Sequence, residues 1–427
     1  MDDTDTDSDT SGEPRGRAAA HGSATVRRRN ALVWAGAASL LIGAGIVGSN
    51  RSSAAARAAS SPTPAVTRSS GPFFERAGNG PDAGPAGSVV ELRAAEPLGS
   101  STKAWHLLYR STDPKGRPIL VSGLVIRPDR DPPPGGFPLL DWGHSTVGIA
   151  DSCTPSISGT PPGLELEAVI AAGYAVVATD YPGMGTPGIH PYLDGDSEGR
   201  SMLDAARAAR SITELDASGP VALWGYSQGG QAALWAGQLA PSYAPELPVV
   251  GVVASAALGT ASWFDDSLMS PVRYQFALMA AIAWAAEDRS LRLADVIGPA
   301  GLRAVPLAEG RRGATCPETS TIATGRSTDE LVTARFSDVA SWRTVLEAKA
   351  LPTRPVAAPV LLQQGASDEI VPATEGFAIS RQLCDAGTNV TFHLIEHGSH
   401  LDAISPVEPI LWLRDRLAGI PATSGCP

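Results

Sequence analysis

Serine, histidine and aspartate together make a hydroxyl nucleophilic at neutral pH, and this 427-residue sequence carries all three in settings that favour that chemistry. Gly225-Tyr226-Ser227-Gln228-Gly229-Gly230 places a serine among small residues, directly after the apolar run Val221-Ala222-Leu223-Trp224 and directly before a helical pattern. A strand turning sharply into a helix lifts the serine Oγ above the sheet and aims the amide of Gln228 at the same spot. The helix N-terminus adds partial positive charge where an oxyanion would form. The flanks must be small because the bend presses them against neighbouring backbone. A lone serine hydroxyl is a weak nucleophile, so a base and an orienting acid must come from later in the chain.

Val360-Leu361-Leu362-Gln363-Gln364-Gly365 reads as a buried strand running into Ala366-Ser367-Asp368-Glu369-Ile370-Val371-Pro372. A carboxylate just past a strand's C-terminal end lies where ligands gather in open α/β sheets. Asp368 is the expected acid; Glu369 is the alternative, and otherwise a solvated loop charge. The next strand, Val390 to Ile395, leads into Glu396-His397-Gly398-Ser399-His400-Leu401-Asp402. His400 is the expected base and His397 a loop or surface imidazole. His21, His106, His190 and His393 fall in a tail, a hairpin, a Gly/Pro-rich loop and a strand, and are assigned no chemistry. His144, in Asp141-Trp142-Gly143-His144-Ser145-Thr146-Val147-Gly148, follows an early core strand, where α/β-hydrolases place a second oxyanion amide. The order Ser227, Asp368, His400 is also the α/β-hydrolase order.

These loops need a scaffold. Val89 to Leu92, Trp105 to Arg110 and Ile119 to Ile126 predict an antiparallel start, with Asp113-Pro114-Lys115-Gly116 as a turn. Apolar runs follow at Leu139 to Trp142, Ala175 to Thr179, Val221 to Trp224, Val249 to Val253, Val360 to Gln363 and Val390 to Ile395. Helical stretches such as Glu165 to Ala172, Ser201 to Leu215, Gln228 to Leu239 and Glu375 to Cys384 separate most of them. The pattern predicts an α/β fold, a mostly parallel sheet with helices on both faces. The core is expected at 88–257 and 358–427. The interval 258–357 is too long for one crossover and is expected to be a helical cap. Its run Phe276 to Ala286 reads first as a buried helix, and second as an apolar inner face for a hydrophobic substrate.

Composition narrows the function classes. With 43% apolar and 18% charged residues the chain supplies a large core and is not disordered throughout. Its net charge of −11, with lysine only at Lys103, Lys115 and Lys349, argues against a nucleic-acid partner. Asp2 to Asp9 reads as a solvated tail. Arg27-Arg28-Arg29, the apolar run Ala31 to Gly48 and the small-residue zone Ser52 to Ser60 then follow in the order of an export signal. Residues 1–56 are expected to be a signal peptide, or an uncleaved membrane anchor, with an acidic tail; 57–87 is a linker. The remainder is thus expected to be secreted or extracytoplasmic. Four cysteines, Cys153, Cys316, Cys384 and Cys426, contain no Cys-x-x-Cys pair, which argues against a zinc site. An even count in an exported chain suggests two disulfides, with three pairings open.

From about residue 88 to 427 the sequence resembles the secretory lipase family, capped α/β-hydrolases that include fungal lipase A. The resemblance rests on Trp105 to Tyr109, the His144 loop leading to Cys153-Thr154-Pro155-Ser156, Thr179-Asp180-Tyr181-Pro182-Gly183-Met184-Gly185, and Tyr192. It continues through Asp204 and Arg207 on one helix, Gly225 to Gly230, Asp368 to Pro372, and His400-Leu401. The resemblance implies Ser227 as nucleophile, Asp368 as acid and His400 as base. It also implies a helical cap with an acyl tunnel, and disulfides Cys153–Cys316 and Cys384–Cys426. Bacterial relatives often carry Gly after the loop histidine; here Ser145 stands there and keeps the N–H. Ser145 and Gln228 are therefore the expected oxyanion donors, with Thr146 as the neighbour that would replace Ser145.

The expected activity is carboxylic ester hydrolysis through an acyl-enzyme, on acylglycerols or other lipid esters, with no metal or organic cofactor. Transient contact with a lipid interface is expected through the cap. An acyltransferase would use the same three residues, and a noncatalytic cell-surface lipid-binding protein would retain the fold without the chemistry. The residues do not specify an oligomeric state.

Overall fold

A computed structural model describes residues 84–99, 101–159, 161–311, 315–351 and 354–426, and among them nine strands form one sheet. The chain opens with β1 (Val89–Ala95), β2 (Thr102–Thr112), β3 (Pro118–Pro128) and β4 (Leu139–Gly143), then the short helices α1 (Pro155–Ser158) and α2 (Leu166–Ala171). β5 (Ala175–Thr179), α3 (Gly195–Ser211), β6 (Val221–Tyr226), α4 (Gln228–Tyr243) and β7 (Val249–Ser255) follow. Five helices come next: α5 (Ala261–Leu268), α6 (Tyr274–Glu287), α7 (Pro299–Ala308), α8 (Thr328–Leu331) and α9 (Ala340–Lys349). The chain returns to the sheet with β8 (Val360–Gly365), α10 (Ala373–Asp385), β9 (Val390–Ile395) and α11 (Val407–Leu417).

Strand order is β1-β2-β3-β5-β4-β6-β7-β8-β9. β1, β2, β3 and β5 pair antiparallel in succession, and every pairing from β5 to β9 is parallel. This is the α/β-hydrolase architecture. Adjacent positions along the central strands face different layers, which is why the strands read as continuous apolar runs. Leu139, Val221, Leu223, Val252 and Val360 pack with α3, α4 and α10. Leu140, Trp142, Ala222, Trp224, Val253 and Leu361 pack on the other face with α2 and α11. There Trp142 and Trp224 meet edge to face at 5.5 Å, an arrangement favoured by the ring quadrupoles.

A third apolar cluster lies in the long insertion. Phe264, Trp284, Phe336 and Trp342 form a chain of ring contacts spaced 5.0 to 5.4 Å apart. The run Phe276 to Ala286 lies within α6, most of which is buried in this cluster. Tyr192, Leu193 and Val371 from loops of the sheet region join the same cluster, so the insertion shares its core with those loops. Lys349, at the end of α9, forms ion pairs with Asp194, just before α3, and with Glu287 at the end of α6, the latter at 2.8 Å. Burial, with Asp194 nearby, pushes Glu287 up to about 7.

Two bonds close the covalent frame, Cys153–Cys316 between the loop after β4 and the insertion, and Cys384–Cys426 between α10 and the C-terminal segment. The expected leader at 1–56, and the linker before residue 84, lie outside the described residues. Among the described residues no helix is long and apolar enough to cross a membrane. The start of α3 moves furthest: it lies at Gly195, six residues ahead of the expected Ser201, and its first turns are buried.

Candidate active site

The bend after β6 is built by glycine. Ser227 sits at φ 58° and ψ −116°, backbone space that a side chain enters only when the surroundings enforce it. A Cβ on Gly225 would lie 1.8 Å from the Gly229 carbonyl oxygen, and one on Gly229 would lie 1.9 Å from the Gly143 carbonyl oxygen. No larger residue fits either position without moving a strand. The Ser227 amide donates to the Ser255 carbonyl at 2.8 Å, tying the bend to β7.

The structure brings three nominated side chains into line. Ser227 Oγ lies 3.1 Å from His400 Nε2, and His400 Nδ1 lies 2.7 Å from Asp368 Oδ2. Asp368 is acceptor-only when ionised, so Nδ1 carries the proton and Nε2 is left to accept from the serine hydroxyl. The Asp368 side chain is buried; its Oδ1 accepts the amides of Ile370 at 2.9 Å and Val371 at 2.8 Å, and Gln364 Nε2 donates to Oδ2 at 3.1 Å. Those bonds fix the carboxylate before it meets the ring. Tyr226 donates to the His400 carbonyl at 3.1 Å, which holds the base's loop against the end of β6. Glu369 and His397 are exposed and lie outside this line.

The nominated oxyanion residues lie around the same bend. Gln228 opens α4, so its amide has no carbonyl within the helix to bond. Gly143 pairs with Gly225, and the loop bearing His144, Ser145 and Thr146 therefore starts directly beside the bend. His144 is buried, which lowers its pKa to about 4, and its ring lies 2.7 Å from the Ser145 carbonyl. Thr146 Oγ1 lies 2.7 Å from the Tyr192 hydroxyl. Asp180, after β5, accepts Ser122 Oγ at 2.6 Å, the Ser156 amide at 2.8 Å and Ser156 Oγ at 2.5 Å, and burial pushes it up to about 6.

Sequence reasoning passed over His190 and Glu198. Both are buried behind Gln228, whose side-chain nitrogen lies 2.9 Å from His190 Nε2 and 2.8 Å from Glu198 Oε1. Burial drives Glu198 well above the carboxylate range and His190 down to about 3. The available signal was a long polar residue directly after the nucleophile, where only its backbone N–H was needed. Among the described residues no group of three or more His, Cys, Asp or Glu side chains is arranged to hold a metal ion.

Comparison with known proteins adds a lineage to this geometry. The family described as secretory lipase matches residues 163–269 and 319–425. Over 362 residues the chain is 29% identical to a probable inactive lipase of Mycobacterium tuberculosis, with 78% of each chain covered. Over 353 residues it is 27% identical to lipase A of Moesziomyces aphidis, covering 76% of this chain and 75% of that one. Among solved structures, Candida antarctica lipase A superposes with a TM-score of 0.66 at 23% identity, covering 80% of this chain and 84% of that one, a likeness of fold.

Proposed function

The chain belongs to the secretory lipase family, and from that membership we propose that it is a secreted serine hydrolase that cleaves carboxylic esters of lipids through an acyl-enzyme on Ser227. The observation that carries this reading is the unbroken line from Ser227 Oγ through His400 to Asp368. His400 Nε2 takes the hydroxyl proton as Ser227 Oγ attacks the ester carbonyl, and Asp368 holds the ring and stabilises the imidazolium. The amides of Gln228 and Ser145 receive the oxyanion. The proton passes to the departing alcohol, the acyl group stays on Ser227, and a water activated by His400 releases the acid and restores the hydroxyl. One relative is described as probably inactive; an intact hydrogen-bonded triple supports turnover in this chain.

The same reading makes 258–357 a cap over the site, 88–257 and 358–427 the catalytic core, and 1–56 an export leader followed by a linker. Two disulfides and the secretory family support a place outside the cytoplasm. Met269 and Val272, between α5 and α6, and Leu401, beside the base, are exposed apolar side chains that support contact with a lipid interface. The test is a chain-length series of chromogenic esters on protein lacking residues 1–56. Long acyl groups are expected to be preferred, and Ser227→Ala and His400→Ala to lose at least about 1000-fold in kcat. Undiminished turnover by Ser227→Ala would overturn the proposal; turnover of acetate and butyrate alone would reduce it to a short-chain esterase.

A further inference from the structure

Behind the nucleophile lies a polar cluster that ester hydrolysis as described above does not use. Gln228, His190 and Glu198 are all within 1% of full burial. Apolar side chains at these three positions would avoid the cost of desolvating polar groups, so a hydrogen-bonded cluster there serves geometry rather than economy of burial. The hydrogen bonds have one consistent assignment. His190 Nδ1 faces the Pro182 carbonyl at 3.0 Å, which only accepts, so Nδ1 carries the proton and Nε2 is an acceptor. Gln228 then spends one N–H on His190 Nε2 at 2.9 Å and the other on Glu198 Oε1 at 2.8 Å. Glu198 Oε1 also accepts the Leu193 amide at 3.0 Å, in a loop where Leu193 itself holds φ 58°.

The same loop reaches the other side of the bend. Tyr181 stacks on His190 with rings 5.6 Å apart and donates its hydroxyl to the His144 carbonyl at 3.2 Å. Tyr192 holds Thr146 at 2.7 Å. One segment, 181–193, thus grips the residue after the nucleophile and, separately, the loop after β4.

We infer that Glu198 and His190 are positioning residues for ester hydrolysis: they clamp the Gln228 side chain and so aim its backbone amide at the oxyanion, in register with the loop of Ser145. The inference rests on the proposed function. A misplacement of about 1 Å at such a site costs on the order of 100-fold in rate, and the amide is engaged only once the oxyanion forms, so the loss falls on kcat.

The test is a double-mutant cycle in steady-state kinetics on one chromogenic ester. Glu198→Ala and Gln228→Met are each expected to lower kcat by about 10- to 100-fold with KM within threefold. Their combination is expected to lose no more than either alone, because both remove the same clamp. Glu198→Gln keeps an acceptor for Gln228 and Leu193 and is expected to restore kcat to within about fivefold of the parent. A Glu198→Ala protein with parental kcat, a loss confined to KM, or losses that multiply in the double variant each overturn the inference. If Glu198→Ala does not fold, Gln228→Met, which keeps chain length and loses both bonds, decides alone by the same kcat criterion. A parent without ester turnover fells the functional proposal and this inference with it; an active parent indifferent to these substitutions fells this inference only.

Discussion

Two histidines beside Ser227 do their work uncharged. Burial lowers His144 to about 4 and His190 to about 3, whereas an unfolded chain's histidines titrate near 6.5. On acidification the unfolded chain takes up protons first, so the stability tied to these neutral rings is complete above about pH 6.5 and is lost as pH falls toward 4 and then 3. Asp180 acts in the opposite sense. Pushed up to about 6 from an ordinary 3.8, it contributes fully below about pH 4, and that contribution is lost as pH rises through 6. Urea-unfolding free energies measured from pH 4.5 to 8 should therefore separate the variants. Against the parent, His190→Gln should lose less stability on acidification and Asp180→Asn more, with slopes differing by up to about 1.4 kcal/mol per pH unit. Parallel curves would contradict both assignments. At this scale Ser227, Asp368 and His400 were readable because each sits at a strand end next to turn residues. His190 and Glu198 were not, because nothing local says that a Gly/Pro-rich loop folds inward or that a helix's first turn is buried.

Close approach of β4, β6 and α4 is what lets a helix begin at the nucleophile. Gly225 and Gly229 leave no room for a methyl group, and one on Gly143 would press at 3.0 Å on the Gly229 carbonyl oxygen. Gly229→Ala should push α4 away from β4, costing about 1 to 3 kcal/mol of stability and at least about 100-fold in kcat. Calorimetry and ester kinetics check the two effects, and a Gly229→Ala protein with parental kcat would show that the helix start tolerates displacement. The apolar strands were legible for a related reason: burial on both faces leaves uninterrupted Val, Leu and Ala. The start of α3 was missed because its early residues are Gly195, Asp196, Ser197, Glu198 and Gly199, a composition that signals a loop. Contact with α4 reverses that signal, since a Cβ on Gly195 would strike Trp235 and one on Gly199 would lie 2.8 Å from the Ala236 nitrogen. Helix-to-helix proximity is tertiary information, and a local window does not carry it.

Across the whole molecule the disulfides differ in reach. Cys153 and Cys316 are 163 residues apart, and Cys384 and Cys426 are 42 apart. Chain entropy assigns about 5 kcal/mol to the longer loop and about 4 kcal/mol to the shorter. Replacing Cys153 and Cys316 by serine should thus destabilise by about 1 kcal/mol more than replacing Cys384 and Cys426, as read from urea midpoints; the reverse order would show that native contacts, not loop closure, set the difference. Length and the break in strand-helix rhythm made the insertion visible in the sequence, whereas its shared core with Tyr192, Leu193 and Val371 depends on loops far away in the chain. Lys349 belongs to that shared region, where its two acid partners enclose it. Among the described residues this leaves Lys103 and Lys115 as the exposed amines, both on or beside β2, near the sheet edge farthest from β8 and β9. A support that couples through lysine would accordingly grip the protein by its antiparallel flank, several strands away from β8 and β9 and the loops that carry Asp368 and His400.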